Sequence, residues 1–251
     1  NLDKPIHVQY FYFLGDALRG DLGESVRFHS PVTELIMNDL WYTVQLSLAG
    51  LIVALAVGLP LGAIAGVYEN TWVDTASMVL AMFGISMPVF WLGQLVIMLV
   101  CIKLGLLPVL SGCKPEGLIL PALVMGLTVA GMICRLVRQS LVDVLNEDYI
   151  RTARAKGLRE RIVILRHGLR NALIPAATSL GLQLGRMLAG SVLVETVFSR
   201  PGLGSLVVHA LEWQDYPLVQ GTVLVIAAMY AVANLAVDIL YAYLDPRVRL
   251  A

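Results

Sequence analysis

The sequence predicts an all-α transmembrane protein, a polytopic helical bundle. Three observations predict it: 58% of the 251 residues are hydrophobic, only 14% are charged, and long uncharged apolar runs recur along the chain. Soluble domains carry about 25% charged residues. This chain has too little charge to cover a water-facing surface of its size, and its mean hydropathy is +0.77. The formal net charge is zero, so bulk charge gives no sign of a nucleic-acid partner.

A hydrocarbon core about 30 Å thick needs roughly 20 apolar residues in a helix, and five segments meet or approach that. Residues 40–68 carry no charge between Asp39 and Glu69, 75–102 none between Asp74 and Lys103, and 117–134 none between Glu116 and Arg135. Residues 171–194 are interrupted only by Arg186, and 216–237 are clean, with the apolar run continuing past Asp238 to Leu244. Helix is the expected form, because an open strand in lipid leaves backbone groups unpaired. The runs also lack the alternation of a lipid-facing barrel.

Aromatic pairs mark several span ends: Trp41 and Tyr42, Tyr68 and Trp72, Trp213 and Tyr216, Tyr241 and Tyr243. Trp and Tyr favour the headgroup level. Trp91 lies mid-run and reads as a packing residue. Nine of the 18 Lys and Arg fall between Arg135 and Arg170, and basic loops stay in the cytoplasm. That puts the loop after the third span inside, together with the C-terminal tail carrying Arg247 and Arg249. The N-terminal stretch and the 103–117 and 197–215 loops are then outside. The 69–74 loop must be inside although it has no basic residue. Five spans leave Asn1 outside, and an expected sixth, preceding span would return the N-terminus to the cytoplasm.

Gly58, Gly62 and Gly66 recur at four-residue spacing, as do Gly181 and Gly185, a pattern that lets helix backbones approach closely. Pro60 and Pro88 are expected to kink their helices. Glu195 and Asp238 lie near span ends and read as interface-exposed. Cys101 and Cys134 read as small packing residues. With Cys113 they make neither a disulfide framework nor a zinc site.

The segment 142–175 is the richest in signal. Asn146 can cap a helix opening with Glu147 and Asp148, favourable at the positive end of the dipole. Arg154 and Lys156 lie near its other end, and Gly157 fits the position just past it. The pattern predicts a short helix over 147–156 that exposes Ala153 beside Tyr149 and Ile150. An amphipathic stripe follows through Ile162, Leu165, Leu169 and Leu173. Spacing alone leaves two readings: a basic loop resting on anionic headgroups, or a docking element for a cytoplasmic partner.

The strings DYIRTARAKGL and LRHGLRNALIP resemble the signature loop of ABC importer permeases in the dipeptide, oligopeptide, glutathione and nickel branch, first of its two permease types. Ala153 and Gly157 occupy the signature Ala and Gly. NLDKPIHVQY, RGDLGESV, GISMPVFWLG, VETVFSRPGLG, DYPLVQG and NLAVDILYAYLDPRVR resemble the same branch in order, so the likeness covers essentially the whole chain. Arg151 stands where the general signature has Glu. His167, Gly168, Leu169 and Arg170 replace its closing Ile-x-Leu-Pro, and Arg200 stands where the family often has Trp.

The resemblance implies a type I importer permease fold, five spans here and six in the full protein. It implies an extracytoplasmic segment 1–39 following a missing first span, then a permease domain 40–251 with a cytoplasmic coupling loop 139–170. Its implied partners are a second homologous permease, two cytoplasmic ABC ATPases and an extracytoplasmic solute-binding protein, in a bacterial or archaeal cytoplasmic membrane. Glu147, Asp148, Tyr149, Ile150, Arg151, Ala153, Arg154, Lys156 and Gly157 would form the ATPase-coupling helix. ATP and Mg would be bound by the partners, since no G-x-x-x-x-G-K-[ST] phosphate loop occurs here. No cofactor or metal is expected in this chain. The implied solute is a dipeptide or oligopeptide, with glutathione or nickel as the alternatives.

Arg186 lies near the middle of the fourth run, where a charge costs at least about 2.5 kcal/mol on insertion scales and should face water or the bundle interior. Ser179, Gln183, Arg186 and Gly190 share one helical face. That face reads either as pore lining or as an interhelical hydrogen-bond or ion-pair cluster. Gln94 and Asn234 are further candidates for the translocation path. His7, His29, His167 and His209 all avoid the spans, which favours a peptide over a metal. A secondary transporter would show inverted repeats or intramembrane relays, and neither is evident. A membrane-embedded hydrolase would need a nucleophile and base that cannot be placed here; H-E-x-x-H and G-x-S-x-G are absent.

Overall fold

The computed structural model describes residues 4–108 and 116–244. Over this range the chain is mostly helical. The sole bridge between extended segments there joins Glu24 to Pro31. In order come α1 (Ile6–Leu18), α2 (Val32–Val67), α3 (Trp72–Ser86), α4 (Val89–Val96), a π-helical stretch (Ile97–Lys103) and α5 (Glu116–Leu145). Then follow α6 (Asp148–Ala155), α7 (Glu160–Ile162), a second π-helical stretch (Val163–Leu169), α8 (Arg170–Gly190), α9 (Val192–Val197), α10 (Leu203–Glu212) and α11 (Tyr216–Leu244).

Among the described residues, three helices are long and apolar enough to cross a membrane: Val32–Val67, Glu116–Leu145 and Tyr216–Val237. They contain three of the expected spans. The expected span at 171–194 forms α8, which is long enough but less apolar, since it carries Gln183 and Arg186.

The expected span at 75–102 is helical but broken. Trp72–Ser86 and Val89–Lys103 meet at 102°, far more than a kink. Met87 precedes Pro88, and a residue in that position is pushed out of the helical region; it is extended, with φ −89° and ψ 134°. Pro88 then caps the start of α4. Pro60, in contrast, sits inside an unbroken α2. The break turns Trp91 outward, 42% exposed, so it is not the packing residue its mid-run position predicts.

α5 is the centre of the bundle. In their most apolar stretches 56% of α5 is buried, against 28% of α2 and 22% of α11. Lipid tails are as apolar as leucine, so association within a bilayer relies on close packing. The expected glycine stripe supplies it. A β-carbon on Gly58 would sit 2.7 Å from the Ala130 carbonyl oxygen, and one on Gly62 2.5 Å from that of Cys134. Gly126 answers from α5 against Val53 and the Gly50 carbonyl. On the other side of α5, Gly131 lies against Ala81 and Ile85 of α3. Gly181 meets Val237, and Gly185 meets Asn234 and Tyr230, joining α8 to α11. Cys101 and Cys134 are buried free thiols, as expected, while Cys113 lies outside the described residues.

The two ends of the bundle are built differently. One end carries the basic loop around α6. There Asp74 at the start of α3 is bound to Arg138 of α5, bringing the 69–74 loop beside the basic segment. At the other end, Leu22, Val32, Ile36, Leu203, Leu206, Ala210 and Leu218 form a separate apolar cluster under α10. Residues 4–39 are more ordered than their mixed composition suggests. They contain α1, which contributes no buried side chain, and a loop pinned by the Ser25 hydroxyl donating to Asp215 at 2.5 Å.

Candidate functional site

The loop after α5 forms the short helix the sequence predicts, α6, within a residue of the expected bounds at each end. Its start differs in detail. Glu147, not Asn146, takes the capping position, while the Asn146 side chain donates back to the Val142 carbonyl and closes α5. Asp148 remains in the first turn and Arg154 in the last, each favourable to the dipole. Gly157 adopts φ +74° just past the helix, where its N–H bonds the Arg154 carbonyl at 2.9 Å. A side chain there would strain this left-handed backbone.

The face α6 presents is the reverse of the expected one. Ile150 is fully buried and Ala153 is 7% exposed; both pack on Val163 and Leu145. The reason is amphipathicity: these are the apolar residues that three- and four-residue spacing brings to one side. Asp148, Arg151, Thr152 and Ala155 point outward instead. Tyr149 is partly exposed, and its hydroxyl accepts from Asn171 Nδ2 at 2.8 Å, tying α6 to the start of α8. Arg154 pairs with Glu160 at 2.7 Å. Glu160 is thereby held below its usual carboxylate range, with the Arg154 hydrogen bond as the main cause.

The amphipathic stripe downstream is also re-registered. Val163 and Gly168 are buried, whereas Ile162 and Leu165 are 40% and 52% exposed. Val163–Leu169 is π-helical, so its residues advance by less than the α-helical angle. A stripe counted at 3.6 residues per turn therefore drifts off the buried side. Leu169 and Leu173 pack as expected, against the α2–α5 core.

Of the intramembrane polar candidates, Gln183 is buried and donates to the Met132 sulfur on α5 at 2.8 Å. Ser179 is half-buried, and Gly190 and Arg186 are exposed. Arg186 makes no ion pair or hydrogen bond among the described residues. Asn234 faces Gly185, and its Oδ1 is buried without a hydrogen bond among those residues. Gln94 is exposed on α4 and bonds to none of the others.

Glu195 departs from expectation most. It is fully buried rather than interface-exposed. Its Oε1 accepts from the Thr43 hydroxyl at 2.7 Å, and its Oε2 from the N–H groups of Gly204 and Ser205 at 2.8 and 3.1 Å. The carboxylate thus satisfies open donors of the first turn of α10. Gly202 and Gly204 are what admit it: a β-carbon at Gly202 would overlap the Glu195 carboxylate. The signal in the sequence is the run E-T-V-F-S-R-P-G-L-G, an acid followed by a glycine-flanked helix start. Arg200, 3% exposed, donates to Gln45 Oε1 at 3.3 Å and lies 5.7 Å from the Tyr42 ring. Asp238 lies outside the described side chains. Among the described residues no group of three or more His, Cys, Asp or Glu could hold a metal ion.

Comparison with known proteins agrees with this architecture. The chain is 44% identical to the glutathione transport system permease protein GsiC of Salmonella choleraesuis, over 99% of this chain and 81% of that protein. It is 43% identical to GsiC of Escherichia coli K12 over the same shares. Its fold is similar to a chain of the inward-facing methionine ABC transporter MetNI, with a TM-score of 0.71 at 16% identity, covering 84% of this chain and 96% of that one. An amino acid ABC transporter matches with a TM-score of 0.65 at 15% identity, over 86% of this chain and 94% of that one. The profile of binding-protein-dependent transport system inner membrane components matches residues 58–250. With its glycine-seamed helices and its loop helix anchored by Ile150 and Ala153, the chain belongs to that family, the membrane-spanning permease components of ABC importers.

Proposed function

We propose that this permease moves short peptides, glutathione among them, into the cell, driven by ATP hydrolysed on separate subunits that dock on α6. The observation that carries the coupling is the construction of α6. Its apolar side is fixed to the chain's own core through Ile150 and Ala153, while Asp148, Arg151, Thr152 and Ala155 are left to solvent. A helix held on one side and open on the other suits insertion into a partner's groove. Tyr149 to Asn171 and the π-helical stretch tie it to α8, the helix that carries Gln183 and Arg186. A push on α6 would reach α8 through these contacts, as a rigid-body switch between two states.

The glutathione part of the proposal rests on the names of the relatives. In this reading the α6 end and the C-terminus are cytoplasmic. The Asp74–Arg138 pair supports that side for the 69–74 loop, which packs on the first part of the basic segment. A second permease completes the pore and an extracytoplasmic binding protein delivers solute. Ser179, Gln183, Arg186, Gln94 and Asn234 are the proposed path residues. Exposed Arg186, without an ion pair among the described residues, supports a place on a water-filled or inter-subunit surface.

The test is co-purification with the co-expressed ATPases. Wild type should retain them and Ala155→Trp should lose them, with the permease still eluting as a folded particle. Retention by both would remove α6 as the docking element.

A further inference from the structure

At the α10 end of the bundle, a cleft of about 530 Å³ opens between α2, α9 and α10. Small-molecule sites run from roughly 300 to 1,000 Å³, mostly apolar with a few placed polar groups. This cleft has that make-up: Phe28 and Trp213 supply aromatic surface, Leu35 and Leu206 aliphatic surface, and Asp39 a carboxylate.

The charges around it are not equivalent. Both Glu195 oxygens accept hydrogen bonds from Thr43, Gly204 and Ser205. Arg200 is 3% exposed, with contacts to Gln45 and Tyr42. His209 is stacked on Trp213 and sits 3.5 Å from Glu212. Asp39 is half-buried and makes no hydrogen bond or ion pair among the described residues. A carboxylate drawn partly out of water attracts a cation more strongly than one in bulk solvent. Phe28 and Trp213 line the same cleft, and Trp213 already has His209 stacked on it and the Arg27 guanidinium 5.8 Å from its ring, a cation–aromatic contact of the kind such a ligand would make.

We propose that this cleft binds a small solute bearing an ammonium or guanidinium group, the cation meeting Asp39 and the apolar part lying against Phe28 and Trp213. The site is separate from the path residues on α8, and its binding step does not depend on the direction or energy source of transport. It would be an entry or accessory site at the α10 end.

The experiment uses the purified transporter containing this chain, with benzamidine as the cationic aromatic probe and benzamide as its neutral counterpart, followed by calorimetry. Benzamidine should bind at about 1 mM or tighter. Benzamide and the Asp39→Asn transporter should each be weaker by at least about tenfold. Asp39→Glu, which keeps the charge, should bind like wild type and controls for misfolding. No benzamidine binding at about 10 mM, equal binding of the two probes, or equal binding by Asp39→Asn would each overturn the site.

Discussion

Asp74 and Arg138 form a bidentate ion pair, Nε to Oδ1 at 2.7 Å and an amino nitrogen to Oδ2 at 2.6 Å, that ties the start of α3 to α5. The Asp74 side chain is 7% exposed and Arg138 is 21% exposed. The Asn70 N–H also donates to Asp74, so this carboxylate organises the whole 69–74 turn. Breaking a buried pair by removing one partner costs about 3–5 kcal/mol. With Arg138 partly solvated, Asp74→Ala should cost roughly 2 kcal/mol. Thermal unfolding in detergent checks this. Asp74→Asn with Arg138→Gln should recover part of the loss, because no lone charge then remains.

Glu195 holds α9, α10 and α2 together. Glu195→Ala leaves Gly204 N–H, Ser205 N–H and the Thr43 hydroxyl without their acceptor, at about 1–3 kcal/mol for each buried group left unsatisfied. Limited proteolysis should show the 198–205 turn cut faster than in wild type. Glu195→Gln keeps one acceptor oxygen and should fall between the two. Equal protection of all three proteins would mean that the contact does not hold α10.

Gly157 should tolerate no β-branched residue. Gly157→Val places a branched side chain at φ +74°, where even an unbranched one costs roughly 1–2 kcal/mol. Nothing lies within 4 Å of the added β-carbon, so the penalty is backbone strain alone. If ATPases dock on α6 as proposed, Gly157→Val should weaken their co-purification and Gly157→Asn should recover most of it, since Asn visits this region readily.

Asp215 supplies a pH dependence at the opposite end of the bundle. Burial pushes its carboxyl up, but the Ser25 hydroxyl and the N–H groups of Arg27, Leu218 and Val26 outweigh burial and hold it below the usual range. A lowered folded pKa stabilises above the unfolded value of about 3.9, and that stability is lost as pH falls through the folded value. The protection of the 25–30 loop against hydrogen exchange, relative to the intrinsic rate at each pH, should therefore be flat at neutral pH and fall only in acid below about pH 4. In Asp215→Asn the loop should be loosened at every pH and that acid step should vanish.

Arg186→Ala tests the path assignment. An assembled transporter with normal ATPase activity and transport would exclude Arg186 from the path. A selective loss of transport with ATPase intact is the expected result.

What could be read from sequence follows the physics of each signal. The spans at α2, α5 and α11 were legible because uncharged runs of sufficient length carry their own meaning in a bilayer. The glycine stripe of α2 was legible because four-residue spacing fixes a face. The α6 helix was legible from its acidic first turn and Gly157. Its orientation was not, because Ile150 and Ala153 could be assigned to a side only by knowing that Val163 lies opposite. The π-helical stretches defeat any count at 3.6 residues per turn. The 102° break at Pro88 is larger than a proline kink, and α4 beyond it packs on α9, with Gly93 against Val197 and Phe198, a contact no local pattern announces. Glu195 was misread because hydropathy places a carboxylate by depth, whereas its burial is decided by the donors of α10, nine residues further along the chain.

The two sides of α6 divide two kinds of information. Ile150 and Ala153 decide whether the loop folds. Asp148, Arg151, Thr152 and Ala155 lie outside that core contact; Asp148 still favours the helix start and pairs with Arg151 at 3.5 Å, but on the solvent side. Exposed pairs of this kind contribute little, so charge at Arg151 and size at Thr152 and Ala155 can change at small cost to the fold. If the motor subunits dock on α6 as proposed, a cell holding several related transporters could keep each permease matched to its own motor by rewriting those outer positions, leaving the machinery beneath them untouched.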